Sequence, residues 1–343
     1  MNKIILTVLT SFFITGCGGG GNNSYDGVNG LIGSSANIEA AIEPTENIVT
    51  NLLQQSSANV SRNALLVKDA IESSSLTNAQ YEFKKFILSW KKVEANYIAG
   101  TLSSALIDTP RFIDFFHIGN EDITEQLDTV IASTAKASDL LFKNSHKSVN
   151  ALEYTLFNSG NDARRLEMAT VIIDALITHL NTIEEYYKNI DISQLDTQVF
   201  AEDLINVLID SAYKLKEWRV GDAAGFTAKY KGNPDAARLE YSTSKYSLEV
   251  IASILNAHEE AFSNGLLAIS TAGNALAEAN IVLTNIASAQ NAIKMFNAPL
   301  SQELTSGKTL TLYNALNALY SSYVNTLTGA LKFSVDIIEA DGD

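Results

Sequence analysis

The sequence predicts an all-α protein made of two antiparallel helical bundles packed together. Three observations carry this expectation. Apolar residues recur at three- and four-residue spacing through long segments, the period of one face of an α-helix. The chain has only four prolines, Pro44, Pro110, Pro234 and Pro299, and each falls where the apolar period lapses, as expected where proline punctuates helices. Alternation of apolar and polar residues, the mark of a half-buried strand, is scarce.

Residues 1 to 17 have the layout of a secretory signal, with Lys3, an apolar run from Ile4 to Ile14, and Thr15-Gly16 before Cys17. Cys17 is the single cysteine of the chain and stands where a bacterial lipoprotein is cleaved. It is therefore expected to be the lipidated first residue of the mature protein, anchoring it to the membrane. The apolar run is too short for a transmembrane helix, which needs about 20 residues. Gly18 stands where enteric bacteria use an aspartate to retain lipoproteins at the inner membrane. The expected address is thus the outer membrane, facing the periplasm or the cell surface.

Residues 18 to 35, rich in Gly, Asn and Ser, read as a flexible tether. The first bundle is expected over 36 to 190 and the second over 191 to 343. The boundary is the change of composition at Asn189-Ile190-Asp191-Ile192-Ser193. In the first bundle, Leu166, Ala169, Ile172, Ile173, Leu176, Leu180, Ile183 and Tyr187 draw one buried stripe over 163 to 188. In the second, stripes run through Leu204, Leu208, Leu215 and Trp218, through Tyr246, Val250, Ile251, Ile254, Leu255, Phe262 and Leu266, and through Leu312, Leu316, Leu319, Tyr323, Leu327 and Leu331. Ser and Asn clusters between them supply caps and turns.

With 24 basic and 39 acidic residues the formal charge is −15, which argues against nucleic acid and anionic membrane surfaces as partners. Phosphate loops, dinucleotide fingerprints, a Gly-x-Ser-x-Gly elbow and His-Glu-x-x-His are not found in the sequence. After lipidation no thiolate is left, so a metal would rest on histidine and carboxylate ligands. Of the four histidines, His258 falls on an apolar stripe and reads as a core residue. Asp114, His117 and Glu121 have the three- and four-residue spacing that one helical face would bring together, a beginning for a divalent site. Pro110 and Gly119 favour instead a solvated loop here, with Phe115 and Phe116 packed on a bundle. Asn150 and Glu153, three residues apart, would also share a helical face, either to contact a ligand or to bond neighbouring helices.

The segment Ser148-Val149-Asn150-Ala151-Leu152-Glu153-Tyr154 resembles the Gly-x-His-x-x-Glu signature of the imelysin-like (M75 peptidase) family, with Asn150 in place of the histidine. Trp218-Arg219-Val220-Gly221 with Ala224-Gly225 resembles that family's Gly-containing turn. Glu240-Tyr241-Ser242 through Ser247-Leu248 resembles its Glu-Tyr-Ser segment, and Ala340-Asp341-Gly342-Asp343 its ending. The resemblance implies two helical bundles, a site that includes Arg219, Glu240 and Ser242 beside Glu153, and a place in metal or iron acquisition. A divalent metal or iron is thus the candidate cofactor. No residue is assigned a catalytic role, because asparagine replaces the ligand best suited to zinc. The expectation is an anchored binding protein holding a ligand or envelope partner between its bundles; the alternatives are an M75 metallopeptidase and a structural surface lipoprotein.

Overall fold

The computed structural model describes residues 35–118 and 123–335. The signal segment with Cys17, the tether up to residue 34, Glu121 and the Asp-Gly-Asp ending lie outside the described residues. Among the described residues every regular element is helical and none is a strand.

In the first half, α1 (Ser35–Asn47) continues through a π-helical run, Ile48–Gln54, into α2 (Gln55–Glu72), and α3 (Leu76–Ala95) returns antiparallel to α2. Short helices follow: α4 (Ala99–Leu102), α5 (Thr109–Ile113), α6 (Ile123–Ala132) and α7 (Ala137–Leu140). They lead to α8 (Val149–Phe157) and the long α9 (Asp162–Lys188). Asn161 caps α9 by accepting from the N–H groups of Ala163 and Arg164. The predicted stripe is buried from Ala169 to Tyr187, packed on α2 and α8, while its first member, Leu166, is only partly buried. By length and composition α9 could cross a membrane, but one buried stripe on a helix with charged residues is the pattern of a core helix.

In the second half, α10 (Thr197–Lys216) runs through the π-helical Glu217–Gly221 into α11 (Asp222–Ala224). Next come α12 (Ser247–Ala261), a π-helical run at Phe262–Leu266, and α13 (Leu267–Ala272). Then follow α14 (Leu276–Ile293), α15 (Leu300–Glu303) and α16 (Gly307–Ser321), the last passing through π-helical Ser322–Leu327 into α17 (Thr328–Leu331). Helices α14 and α16 pack together, with α10 on α16 and α12 on α14. The predicted stripes of α12 and α16 are buried from Val250 to Leu266 and from Leu312 to Leu331.

Packing also crosses residue 190. Helix α3 lies against α12, and α1 against α10 and α13. Proline meets its expected place at Pro110, in the first turn of α5, and at Pro299, the N-cap of α15. Pro44 departs from it and lies inside α1. Its missing N–H removes one rung of the helical ladder, and the wider π-helical turn begins four residues later.

Candidate functional site

Ser148 starts α8 in the manner of a capping residue, its Oγ accepting from the Ala151 N–H at 3.2 Å. This register presents Asn150 and Glu153 to neighbouring segments. Glu153 is 6% exposed, and its Oε1 accepts from the backbone N–H of Ser244 at 2.7 Å and from the Ser244 hydroxyl at 2.8 Å. Burial pushes its carboxyl up to about 7, against the pull of those hydrogen bonds. The Asn150 Oδ1 accepts from the Phe115 N–H at 2.8 Å, so the amide at the motif's histidine position ties down the loop after α5.

The centre of the site is supplied by α3. Lys91 is completely buried, and its Nζ lies 2.8 Å from Glu94, 2.6 Å from Asp114 and 2.5 Å from Glu240. Arg219, placed by the π-helical run after α10, pairs through Nε with Glu240 at 2.7 Å and through Nη2 with Glu94 at 2.9 Å. Trp90 donates from Nε1 to Asp114 at 3.1 Å. Burial disfavours the charges of Lys91 and Arg219, yet the surrounding carboxylates hold both above their ordinary values. Burial likewise pushes against ionised Asp114, but the Lys91 ammonium beside it keeps that carboxyl below its ordinary value. The Glu240 carboxyl is pushed up by burial, opposed by Arg219 and Lys91.

The rim is aromatic. The His117 ring stacks on Trp218 at 4.8 Å with 7° between planes, and its Nε2 lies 3.5 Å from Asp222. Burial lowers the His117 pKa, outweighing the carboxylate. Arg219 lies 5.8 Å from the Phe116 ring centre. His117, Tyr241 and Lys245 all have left-handed backbone, with φ of 61°, 55° and 66°, strain that the surrounding contacts must hold in place. The Tyr241 hydroxyl is buried without a hydrogen-bond partner among the described residues.

The structure thus brings together Asn150, Glu153, Asp114, Arg219 and Glu240, five of the residues expected from sequence. It does not align Asp114 with His117 on a helical face. Helix α5 ends at Ile113, and Asp114 is extended (φ −130°, ψ 124°), so Asp114 turns to Lys91 while His117 turns to Trp218 and Asp222. The residue that meets Glu153 is Ser244, two positions after the expected Ser242. Lys91 was not anticipated, although it follows the buried Phe83 and Ile87 by eight and four residues and so falls on the stripe of α3. Glu94 follows Ile87 and Trp90 by seven and four residues and falls on the same stripe, whereas Ser244 carries no comparable signal.

The donor set does not suit a bare metal ion. Among the described residues no group of three His, Cys, Asp or Glu side chains is arranged to hold one. Where carboxylates do converge, the Lys91 ammonium stands between three of them. His258, the expected core residue, bonds through its two ring nitrogens to the Tyr323 and Ser211 hydroxyls, each at 3.0 Å. Its complete burial lowers its pKa to about 3.

A comparison with curated proteins finds no match. Among solved structures, the chain is similar to an imelysin-like protein from Psychrobacter arcticum 273-4, at 18% identity and a TM-score of 0.72, over 87% of this chain and 98% of that one. It is also similar to a protein from Parabacteroides distasonis ATCC 8503 described as an iron-regulated protein A precursor, at 14% identity and a TM-score of 0.69, over 87% and 96% of the two chains. At these identities the likeness speaks for a shared fold. The imelysin (peptidase M75) family model matches residues 50–323, and the chain belongs to the imelysin family.

Proposed function

We propose that this is an exported, lipid-anchored binding protein of the bacterial envelope, serving metal or iron acquisition through a ligand or partner held between its halves, and without peptidase chemistry. The observation that carries the reading is the buried pairing of Lys91 and Arg219 with Glu94, Asp114 and Glu240. A metallopeptidase needs a metal with an open position for water and a base beside it. Here cations already neutralise the carboxylates, Glu153 is engaged by Ser244, and Asn150 spends its amide oxygen on a backbone N–H. The iron setting draws on the description of the Parabacteroides relative, and the anchor on Cys17.

Each part has its own measurement. Radiolabelled palmitate should enter the parent protein and not Cys17→Ala. Cells lacking the gene should grow more slowly than the parent under iron chelation; equal growth removes the iron setting. The second reading, an M75 peptidase, is favoured by the Glu153 carboxyl at about 7, a value suited to proton transfer near neutrality. Fluorescent casein with added zinc should not be cleaved, and turnover that disappears in Glu153→Gln would establish the peptidase instead.

A further inference from the structure

Asn47, Asn51, Gln55, Asn59 and Asn63 recur every fourth residue from the end of α1 through α2. Asn51, Gln55 and Asn59 are exposed, and with Asn63 they line one wall of a groove of about 400 Å³. The opposite wall, from α3, the end of α12 and the π-helical run after it, includes Ser89, the paired Lys92 and Glu260, and Asn264. Lys92 adjoins Lys91 in sequence but lines this groove, so the groove and the charged cluster use different faces of α3.

Four residues of an α-helix advance about 6 Å and overshoot one turn by about 40°, so an i, i+4 row normally spirals away. Here Ile48–Gln54 is π-helical. Its i→i+5 turn takes more residues and rotates less per residue, so the step from Asn51 to Gln55 falls short of a full turn and offsets the overshoot of the α-helical step from Gln55 to Asn59. In an extended polypeptide, alternate residues present an N–H and a C=O to the same side every 6.4 to 6.8 Å, roughly. Three amide rungs about one helical turn apart, roughly 5.4 to 6 Å for each step, therefore fall short of three alternate peptide residues by about 1 to 3 Å over the whole span, which side-chain rotation can absorb.

The hydrogen-bond inventory also fits. A carboxamide has two N–H donors and two acceptor positions. Asn51 donates to Asn47 and accepts from Gln55, both at 3.3 Å, leaving one donor and one acceptor position. Gln55 keeps one N–H and its oxygen. Asn59 accepts from Arg62 at 3.1 Å and keeps both N–H groups. Asn63 is held by Ser89 at 3.0 Å and closes the row. Each of the three open rungs can thus pair with the N–H and C=O of one residue, as a neighbouring strand would.

We infer that this groove binds an extended polypeptide segment through its main chain, with Asn51, Gln55 and Asn59 as successive rungs. Neutral amides that pair with backbone groups give little preference for peptide sequence. The groove lining includes a single large apolar side chain, Leu88, and no aromatic ring, which favours a peptide over a sugar seeking a stacking platform.

The test uses the full chain carrying Cys17→Ser and (Thr-Ser)4-amide carrying fluorescein on its N-terminal amine, followed by fluorescence anisotropy. Saturable binding is expected, weakened about tenfold or more when every peptide nitrogen is methylated, because the donors that face the ladder are removed. The triple variant N51A/Q55A/N59A should lose binding to a similar degree while keeping the parent melting temperature, since these are exposed helical positions. Absence of binding, equal binding by the triple variant, or binding of an N-acetylglucosamine trimer in place of the peptide would each overturn the inference. It stands apart from the iron setting and the anchor, whose measurements involve neither the ladder nor a peptide.

Discussion

Burial decides what each charged side chain of the cluster can do. Lys91 has no water to turn to, so its charge is sustained only by Glu94, Asp114 and Glu240. Replacing it with methionine keeps much of the volume but leaves buried carboxylates facing Arg219 alone. Lys91→Met is expected to lower stability by about 3 to 5 kcal/mol in urea unfolding, the usual cost of removing one partner of a buried pair. Acidification should recover part of the loss by protonating the stranded carboxylates. Glu153 presents the opposite case. Its carboxyl titrates from an ordinary 4.5 to about 7 in the fold, so between those values the folded chain holds more protons than the unfolded one. Stability from this residue is complete below about pH 4.5 and lost as pH rises through about 7. Glu153→Gln should therefore be more stable than the parent at pH 8, by up to about 3 kcal/mol, with the difference fading below pH 5. An equal offset at both pH values would refute that account of Glu153.

The elements were legible in sequence wherever a stripe of large apolar residues met a cap. The stripes from Ala169 to Tyr187 and from Leu312 to Leu331 are buried as their spacing required. The π-helical runs were not legible, because an inserted residue leaves the composition of the stripe unchanged and only shifts its phase. One of them sets Trp218 and Arg219 at the site, so the sequence pointed to Arg219 through family resemblance and gave no account of how it is aimed. The run at Phe262–Leu266 shows what such a turn requires. A Cβ on Gly265 would lie 2.3 Å from the Pro44 carbonyl oxygen and 2.8 Å from Ile48, the segment where α1 passes into its own π-helical run. Gly265→Ala is expected to cost about 1 to 3 kcal/mol through overpacking. Gly329→Ala in α17, where a Cβ meets nothing within 4 Å, should be neutral or slightly stabilising. Similar thermal midpoints for the two variants would show that the close approach of α1 to Gly265 does not govern stability.

Composition and turn signals placed a boundary near residue 190, yet buried ion pairs span it. Lys91 reaches Glu240, Arg219 reaches Glu94, Lys84 reaches Glu249 at 2.8 Å, and Lys92 reaches Glu260. The last two pairs are partly solvated and contribute little, whereas parting the first two would uncover charges that the fold has desolvated together. Apolar packing runs the same way, since α1 precedes the boundary but lies on α10 and α13. Opening one half would strip the other of both a helix and its counter-charges, so the halves are expected to unfold as one unit despite a length at which separate transitions are common. Calorimetry should give a single heat-absorption peak, with van't Hoff and calorimetric enthalpies in agreement. Lys91→Met should move that peak as a whole. Two resolved peaks in the parent protein, only one of them displaced by Lys91→Met, would mean that the buried pairs join halves that are energetically independent.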